Sequence, residues 1–136
     1  MQDQTKQAFD PVRVLVVEDE VLLQQLVETV LSDAGYEITL VSSGAEAIAL
    51  LDQKANVFRA LVTDINLQDA ISGWEVAKYA RERDADVRIV YMTAASVGDW
   101  TANGVPLSVL LTKPFAPAQI VSAVSNLLNA ADPSPS

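Results

Sequence analysis

The chain has 136 residues, half of them hydrophobic, and a formal net charge of −9. This length and apolar content are sufficient for one domain with a single packed core. The sequence contains no cysteine and no histidine, which excludes disulfides, thiolate chemistry, cysteine or histidine metal sites and a phosphohistidine on this chain.

Charge and hydropathy also limit the partners that we expect. The 9 basic residues are scattered among 18 acidic ones and form no basic stripe of the kind that binds nucleic acid, so we expect no nucleic-acid partner. No apolar run approaches the length of about 18 residues that a membrane span needs. Residues 1–9 are polar and lack the pattern of a signal peptide. We therefore expect no membrane insertion and a cytoplasmic location.

Short apolar runs predict strands, and apolar residues at helical spacing between them predict helices. Residues 94–104 are expected to form at most two irregular turns, because Gly98 and Thr101 are poor helix formers. Tails at 1–11 and 131–136 are expected to flank a single domain at 12–130. In chain order the predicted elements are strand 12–19, helix 21–34, strand 37–41, helix 43–53, strand 59–64, helix 74–83, strand 87–93, strand 107–112 and a helix that begins near Pro117.

The alternation of strands and helices requires parallel pairing with right-handed crossovers. The predicted fold is therefore α/β, a three-layer α-β-α sandwich around a five-stranded parallel sheet. Each helix is expected to bury one face against the sheet. On the first helix this face is formed by Leu23, Leu26, Val27, Val30 and Leu31.

Four of the predicted strands end in a chemically reactive side chain. The first leads into Glu18 and Asp19, and the others lead into Asp64, Thr93 and Lys113. In an open α/β sheet, ligands bind beyond the carboxyl ends of the strands, so we expect these groups to meet at one edge. Converging carboxylates repel each other unless a cation lies among them. Oxygen ligands without cysteine or histidine favour Mg²⁺.

Each of these residues also has a purely structural interpretation. Glu18 and Asp19 could form a solvated turn at the start of a helix. Thr93 could be a β-branched strand end, and Lys113 could extend along the surface from the sheet edge. The convergence of several strand ends favours the functional interpretation.

The motifs together resemble the receiver domain of two-component response regulators. The resemblance covers about residues 12–129 and rests on "VLVVEDE", "LVTDINL", "YMTA" and "LLTKPF", in this order. None of these motifs is specific by itself, but the set on five β-α units is highly specific. The resemblance implies a flavodoxin-like receiver fold with strand order 2-1-3-4-5 and a short irregular fourth helix.

The resemblance implies a magnesium site built from four residues. Asp19 would bind Mg²⁺ directly, and Glu18 would act more through water. Asp64 and the backbone carbonyl of Asn66 would complete the protein ligands.

The resemblance also implies the phosphorylation chemistry. Asp64 would accept a phosphoryl group from a phosphohistidine. Thr93 and Lys113 would each bind a phosphoryl oxygen. The peptide bond between Lys113 and Pro114 would be cis.

The function implied is that of a single-domain response regulator in a two-component phosphorelay. Its donor would be a histidine kinase or a histidine phosphotransfer protein, and its downstream protein is unknown. It would catalyse its own phosphorylation and dephosphorylation without turning over a separate substrate. We expect a monomer or a weak dimer.

Three features depart from the receiver pattern. Leu110 stands where the family usually carries a switch tyrosine or phenylalanine, three residues before Lys113. The weak helix segment at residues 94–104, which carries Trp100, corresponds to the family's usual output face. The loop that follows Asp64, "INLQDAISG", is slightly long. We hypothesise that the output surface is remodelled while the phosphorylation chemistry is retained.

Three alternatives stay open at this point. The missing aromatic residue suits a receiver-like adaptor that works without phosphorylation. A phosphatase of the haloacid-dehalogenase type also forms an aspartyl-phosphate, but it needs a second aspartate as acid and base where this chain has Asn66. A flavin binder shares the fold class, but no glycine- or serine-rich phosphate loop follows the first strand.

Overall fold

The computed structural model describes residues 11–54, 57–94 and 104–130. Five strands and four helices make up this part of the chain. The strands are β1 (Arg13–Val17), β2 (Glu37–Val41), β3 (Ala60–Asp64), β4 (Arg88–Thr93) and β5 (Ser108–Thr112). The helices are α1 (Val21–Asp33), α2 (Gly44–Lys54), α3 (Gly73–Arg83) and α4 (Pro117–Asn129).

All five strands pair in parallel in one sheet of order β2-β1-β3-β4-β5. This confirms the predicted α/β fold and its strand order. The central strands β3 and β4 are buried along their whole length, as continuous apolar runs in a parallel sheet predict. Their carboxyl ends, together with that of β1, therefore open at one edge of the sheet.

Helices cover both faces of the sheet, which gives the three layers. One face, with Leu15 and Leu61, packs against residues of α2 and α3. The other face, with Val16 and Val62, packs against residues of α1 and α4. The alternation of inward side chains along β1 and β3 thus fills two separate apolar cores.

Local signals determine where several helices begin and end. Helix α3 begins with a capping box, in which the Ser72 side chain accepts the Glu75 N–H and the Glu75 side chain accepts the Ser72 N–H. Helix α4 begins at Pro117, which suits a first-turn position. Helix α1 is followed by Gly35 with a φ of 100°, a conformation that glycine adopts without strain.

The structure corrects some of the sequence-based expectations. Strand β1 ends at Val17, two residues before the predicted boundary, so that Glu18 and Asp19 follow the strand. The expected burial of Leu26 is wrong, because its side chain is 36% exposed while Val27 and Leu31 form the buried stripe of α1. The segment for which a short irregular helix is expected, residues 94–104, lies mainly outside the described residues.

Within the part of the chain that the structure describes, no helix combines the length and the apolar character needed to cross a membrane.

Candidate functional site

Acidic side chains from two neighbouring strands meet at the carboxyl edge of the sheet. Strand β1 leads directly into Glu18 and Asp19, and the adjacent strand β3 ends at Asp64. One carboxylate oxygen from each of these residues lies within 4.8 Å of the other two. The structure thus brings together the three acids that the sequence placed at this edge.

Lys113, which follows β5, completes the cluster. Its Nζ atom lies 3.1 Å from Asp64 Oδ2 and 3.4 Å from Glu18 Oε1. The second carboxylate oxygen of Glu18 accepts the N–H of Glu20 at 2.9 Å. One ammonium group therefore bridges two of the three acids, and the interpretation of Lys113 as a surface lysine is wrong.

Burial shifts the pKa values of the groups in the cluster. It raises the pKa of Glu18 from 4.5 to about 7, although the hydrogen bond from Glu20 opposes the shift. Burial also raises the pKa of Asp64, against the charge of Lys113. For Lys113, burial alone would lower the pKa, but the carboxylates of Asp64 and Glu18 outweigh it and raise the pKa above its ordinary value. The acids are thus held in surroundings that disfavour their ionised forms.

The shifted pKa of Glu18 makes the stability of the metal-free protein depend on pH. Between pH 4.5 and about 7, Glu18 is protonated in the folded chain and ionised in the unfolded chain. The unfolded state binds fewer protons in this window, so the free energy of unfolding falls as pH rises, by about 2 kcal/mol. We expect Glu18→Gln to remove most of this fall in urea unfolding with EDTA at about pH 5 and about pH 7.5. An equal fall in both proteins would contradict the assignment.

The donor set of the cluster fits a divalent cation. With all groups ionised, the three carboxylates and the Lys113 ammonium leave two formal negative charges, which one divalent cation balances. The carboxylates offer oxygen ligands, which Mg²⁺ prefers. A cation here would also relieve the repulsion between partly buried acids.

Two residues after β3, Asn66 contacts the cluster through its backbone. Its N–H donates to Asp64 Oδ1 at 3.3 Å, which orients that carboxylate. Asn66 is exposed. The role of its carbonyl as a metal ligand stays a prediction.

Thr93 is the last residue of β4 and is buried. It lies one residue beyond Met92, which pairs in register with Asp64 on β3. Its carbonyl accepts the Lys113 N–H at 2.7 Å, so the ends of β4 and β5 are joined beside the acids. The peptide bond between Lys113 and Pro114 is cis, as the resemblance implies.

Tyr91 is a residue of this region that the sequence pattern did not single out. It is fully buried on β4 and pairs in register with Leu110 on β5. Its hydroxyl accepts the Val105 N–H at 3.2 Å, and its ring lies 4.7 Å from that of Trp74. An aromatic ring therefore lies beside Leu110, on the neighbouring strand. The expectation for Trp100 lies outside the described residues.

Comparison with known proteins decides the family. The model of the response regulator receiver domain matches residues 14–125. The chain belongs to this family.

Solved receiver structures resemble the chain over most of its length. A response regulator receiver protein from Sinorhizobium medicae is 44% identical with a TM-score of 0.85, covering 89% of this chain and 97% of that one. The chemotaxis protein CheY4 of Vibrio cholerae is 29% identical with a TM-score of 0.77, covering 86% and 98%.

A more distant receiver structure was solved with a metal. The receiver domain of a sensor histidine kinase from Pseudomonas aeruginosa, with a magnesium ion coordinated in its active site cleft, is 24% identical with a TM-score of 0.75. The match covers 88% of this chain and 99% of that one. At this identity the likeness shows the receiver fold alone.

The curated relatives are longer than the chain. The response regulator SaeR of Staphylococcus aureus is 29% identical over 84% of this chain and 49% of its own length. The chain thus spans about half the length of the curated relatives it matches, and the match concerns the receiver domain.

Proposed function

We propose that this receiver accepts a phosphoryl group on Asp64 from a phosphohistidine donor in a two-component phosphorelay, in a Mg²⁺-dependent reaction. The observation that carries the proposal is the position of Lys113, 3.1 Å from Asp64 in a cluster of three acids. The ammonium pairs with the carboxylate that would react, and the acids beside it would hold a cation. Phosphorylation would alter the binding of a downstream protein, in the cytoplasm.

Asp64 would act as the nucleophile. A carboxylate oxygen of Asp64 forms a bond to phosphorus while the nitrogen–phosphorus bond of the donor breaks. The electron pair of the broken bond goes to the imidazole, which takes up a proton from solvent. The product is an acyl phosphate on Asp64.

The neighbouring residues would position and stabilise the phosphoryl group. Lys113, already paired with Asp64, would bind one phosphoryl oxygen, and the Thr93 hydroxyl would bind another. A preorganised ammonium group and a preorganised hydroxyl donor at these positions cost no rearrangement when charge shifts in the transition state.

The metal would be held by Glu18, Asp19, Asp64 and the carbonyl of Asn66. When bound, Mg²⁺ supplies positive charge that stabilises the oxygens of the transferring phosphoryl group. The magnesium ion in the receiver domain of the Pseudomonas aeruginosa sensor kinase supports the choice of this ion.

We propose that the chain turns over no separate substrate. Rapid hydrolysis of a phosphate ester needs an acid and base beside the nucleophile. The side chain two residues after Asp64 is an amide, that of Asn66, and an amide does not transfer protons at neutral pH. The chemistry is then restricted to phosphorylation and dephosphorylation of Asp64 itself.

An exposed apolar surface beside the site suits a protein donor. The side chains of Val21 and Leu22 on α1 are 61% and 74% exposed. Leu22 and Leu26 line a groove of about 300 Å³ that extends to Lys113 and to Phe115 after it. Exposed leucines next to a reactive carboxylate favour a docking partner that covers them during transfer. A histidine kinase or a histidine phosphotransfer protein meets this description.

This surface gives a prediction that separates docking from chemistry. We expect Leu22→Asp to slow transfer from the cognate protein donor by about tenfold or more. Phosphorylation by acetyl phosphate should be unchanged, because this small molecule needs no docking surface. Thr29→Asp, which places the same charge two turns further along α1, is the matched control. Equal loss with both donors would mean that Leu22→Asp damages the site itself.

The proposal is tested by incubating the protein with acetyl phosphate in Mg²⁺ or in EDTA and measuring its intact mass. We expect one added phosphoryl group in Mg²⁺ and little or none in EDTA. No added mass in Mg²⁺ would contradict the proposal and favour an adaptor that works without phosphorylation. Leu110, in place of the usual aromatic residue, is the feature that favours this second function.

A further inference from the structure

The loop between β3 and α3, residues 65–72, is attached to the rest of the protein at several points. Its ends are joined by the Gly73 N–H, which donates to the Ile65 carbonyl at 2.9 Å. At its middle, the Gln68 N–H donates to Asp19 Oδ2 at 2.9 Å. The loop therefore contacts a carboxylate of the acidic cluster directly.

The next residue, Asp69, attaches the loop to the first turn of α2. Its two carboxylate oxygens accept the N–H groups of Gly44 at 3.4 Å and Ala45 at 3.0 Å. The N–H of Glu46 is bound by the Ser43 hydroxyl at 3.1 Å. Asp69 thus satisfies two helix-terminal donors, and its charge interacts favourably with the helix dipole.

Apolar packing supports the same attachment. A Cβ atom at Gly44 would lie 2.7 Å from Ile71 Cγ2, so the loop approaches α2 as closely as a glycine allows. The loop is thus held on α2 by two hydrogen bonds to the Asp69 carboxylate and by a close apolar contact at Ile71.

The three acids of the cluster differ in how they are held. Glu18 and Asp64 are buried and both pair with Lys113. Asp19 is half-buried, and its carboxylate accepts the Gln68 N–H. A carboxylate that accepts an N–H on one oxygen keeps the other for a cation, and its orientation is fixed by the donor.

We propose that Asp69 is a positioning residue of the metal site. By fixing the loop on α2, it holds the Gln68 N–H against Asp19 and so orients Asp19 toward the cation. This inference rests on the proposed function, since it concerns the divalent-cation site of the phosphorylation reaction.

The test compares Asp69, which binds the first turn of α2 from the loop, with Glu46, which lies in that turn. We expect Asp69→Ala to weaken Mg²⁺ binding by about tenfold, the effect typical of partners that orient a metal ligand. Asp69→Asn keeps a carbonyl oxygen for the Ala45 N–H and should restore most of the affinity. Glu46→Ala is the control, because Glu46 accepts the Ser42 N–H at 2.7 Å and makes no hydrogen bond to the loop among the described residues. It should leave the affinity for Mg²⁺ unchanged.

Two readouts are needed, and neither is phosphorylation. Mg²⁺ affinity is measured by titration with MgCl₂ followed by amide NMR shifts. The hydrogen-exchange protection of the Gln68 backbone N–H reports its hydrogen bond to the Asp19 carboxylate in the metal-free protein. It should fall in Asp69→Ala and stay unchanged in Glu46→Ala.

A second variant removes the hydrogen bond at its donor. Gln68→Pro lacks the N–H that Asp19 accepts and should weaken Mg²⁺ binding to a similar extent as Asp69→Ala. It leaves the carboxylate of Asp69 in place at α2, so it separates the bond to Asp19 from the stability of the helix.

The outcomes separate this inference from the function on which it rests. If the wild type binds Mg²⁺ and either Asp69→Ala or Gln68→Pro binds it equally well, the positioning role is wrong and Asp69 is a helix cap alone. Equal weakening by Asp69→Ala and Glu46→Ala would also overturn it. If the wild type itself binds no Mg²⁺ at millimolar concentration, the proposed function is wrong, and the inference with it.

Discussion

The variant Asp64→Asn should accept no phosphoryl group from acetyl phosphate, with a rate at least about 10³-fold below that of the wild type. Asparagine keeps the shape of the side chain but has no carboxylate oxygen that can form an acyl phosphate. The measurement is intact mass after incubation in Mg²⁺. Asp33→Asn, which changes an exposed carboxylate on α1, should behave as the wild type.

The same variant should be more stable than the wild type without metal. Burial raises the pKa of Asp64, so its ionised form is disfavoured in the fold at neutral pH. A neutral amide avoids this penalty, and we expect a higher free energy of unfolding than that of the wild type. A variant that is inactive because it is unfolded would show a loss of stability instead. Phosphoryl incorporation at the wild-type rate in Asp64→Asn would place the reaction on another residue.

The second large effect is expected at Lys113. Lys113→Met should slow phosphorylation by acetyl phosphate by about 10²–10³-fold, the usual effect of removing one preorganised charge-stabilising donor. Its affinity for Mg²⁺ should be equal to or higher than that of the wild type. The reason is that the variant removes a positive charge 3.1 Å from one of the acids that would hold the cation.

The combination of slower phosphorylation with an undiminished affinity for Mg²⁺ makes the prediction specific. A generally damaged site would lose both reactivity and metal affinity. Lys78→Met, on the exposed surface of α3, is the matched control and should change neither. An unchanged phosphorylation rate in Lys113→Met would exclude the role that we assign to the ammonium group.

The parts of the fold and site that follow from local pattern could be predicted from the sequence. Continuous apolar runs identify buried parallel strands, and the ends of such strands share one edge. This reasoning brought Glu18, Asp19, Asp64 and Lys113 to one place, where the structure has them. The roles of these residues in the reaction, and that of Thr93, stay predictions.

Side chains that act through tertiary contacts could not be predicted in this way. Arg88 counts in the sequence as one of several scattered basic residues, yet it is buried, and its Nε donates to the Leu127 carbonyl at 2.9 Å. The sequence pattern places Asp69 in a loop and predicts no partner for it. In the structure its carboxylate binds the start of α2, about 25 positions earlier in the chain. No periodicity encodes such contacts, because they depend on how separate elements are placed in the fold.

The exposure of Leu26 is a smaller example of a feature that depends on tertiary contacts and that sequence periodicity does not predict. Helical spacing places Leu26 near the inner face of α1, but the helix rests on the sheet through Val27 and Leu31. The orientation of a helix about its own axis is set by the side chains it meets, and a broad apolar stripe leaves several orientations open. In this protein the surplus apolar surface lies in a groove that extends to Lys113, beside the acidic cluster.

The most direct test of the account is to locate the phosphoryl group. After phosphorylation by acetyl phosphate in Mg²⁺, reduction with borohydride converts an acyl phosphate on aspartate to homoserine, which peptide mass analysis assigns to a position. We expect homoserine at position 64 and no modification at Glu18 or Asp19. An acyl phosphate at another acid, or none in Mg²⁺, would contradict the central claim that this cluster directs phosphorylation to Asp64.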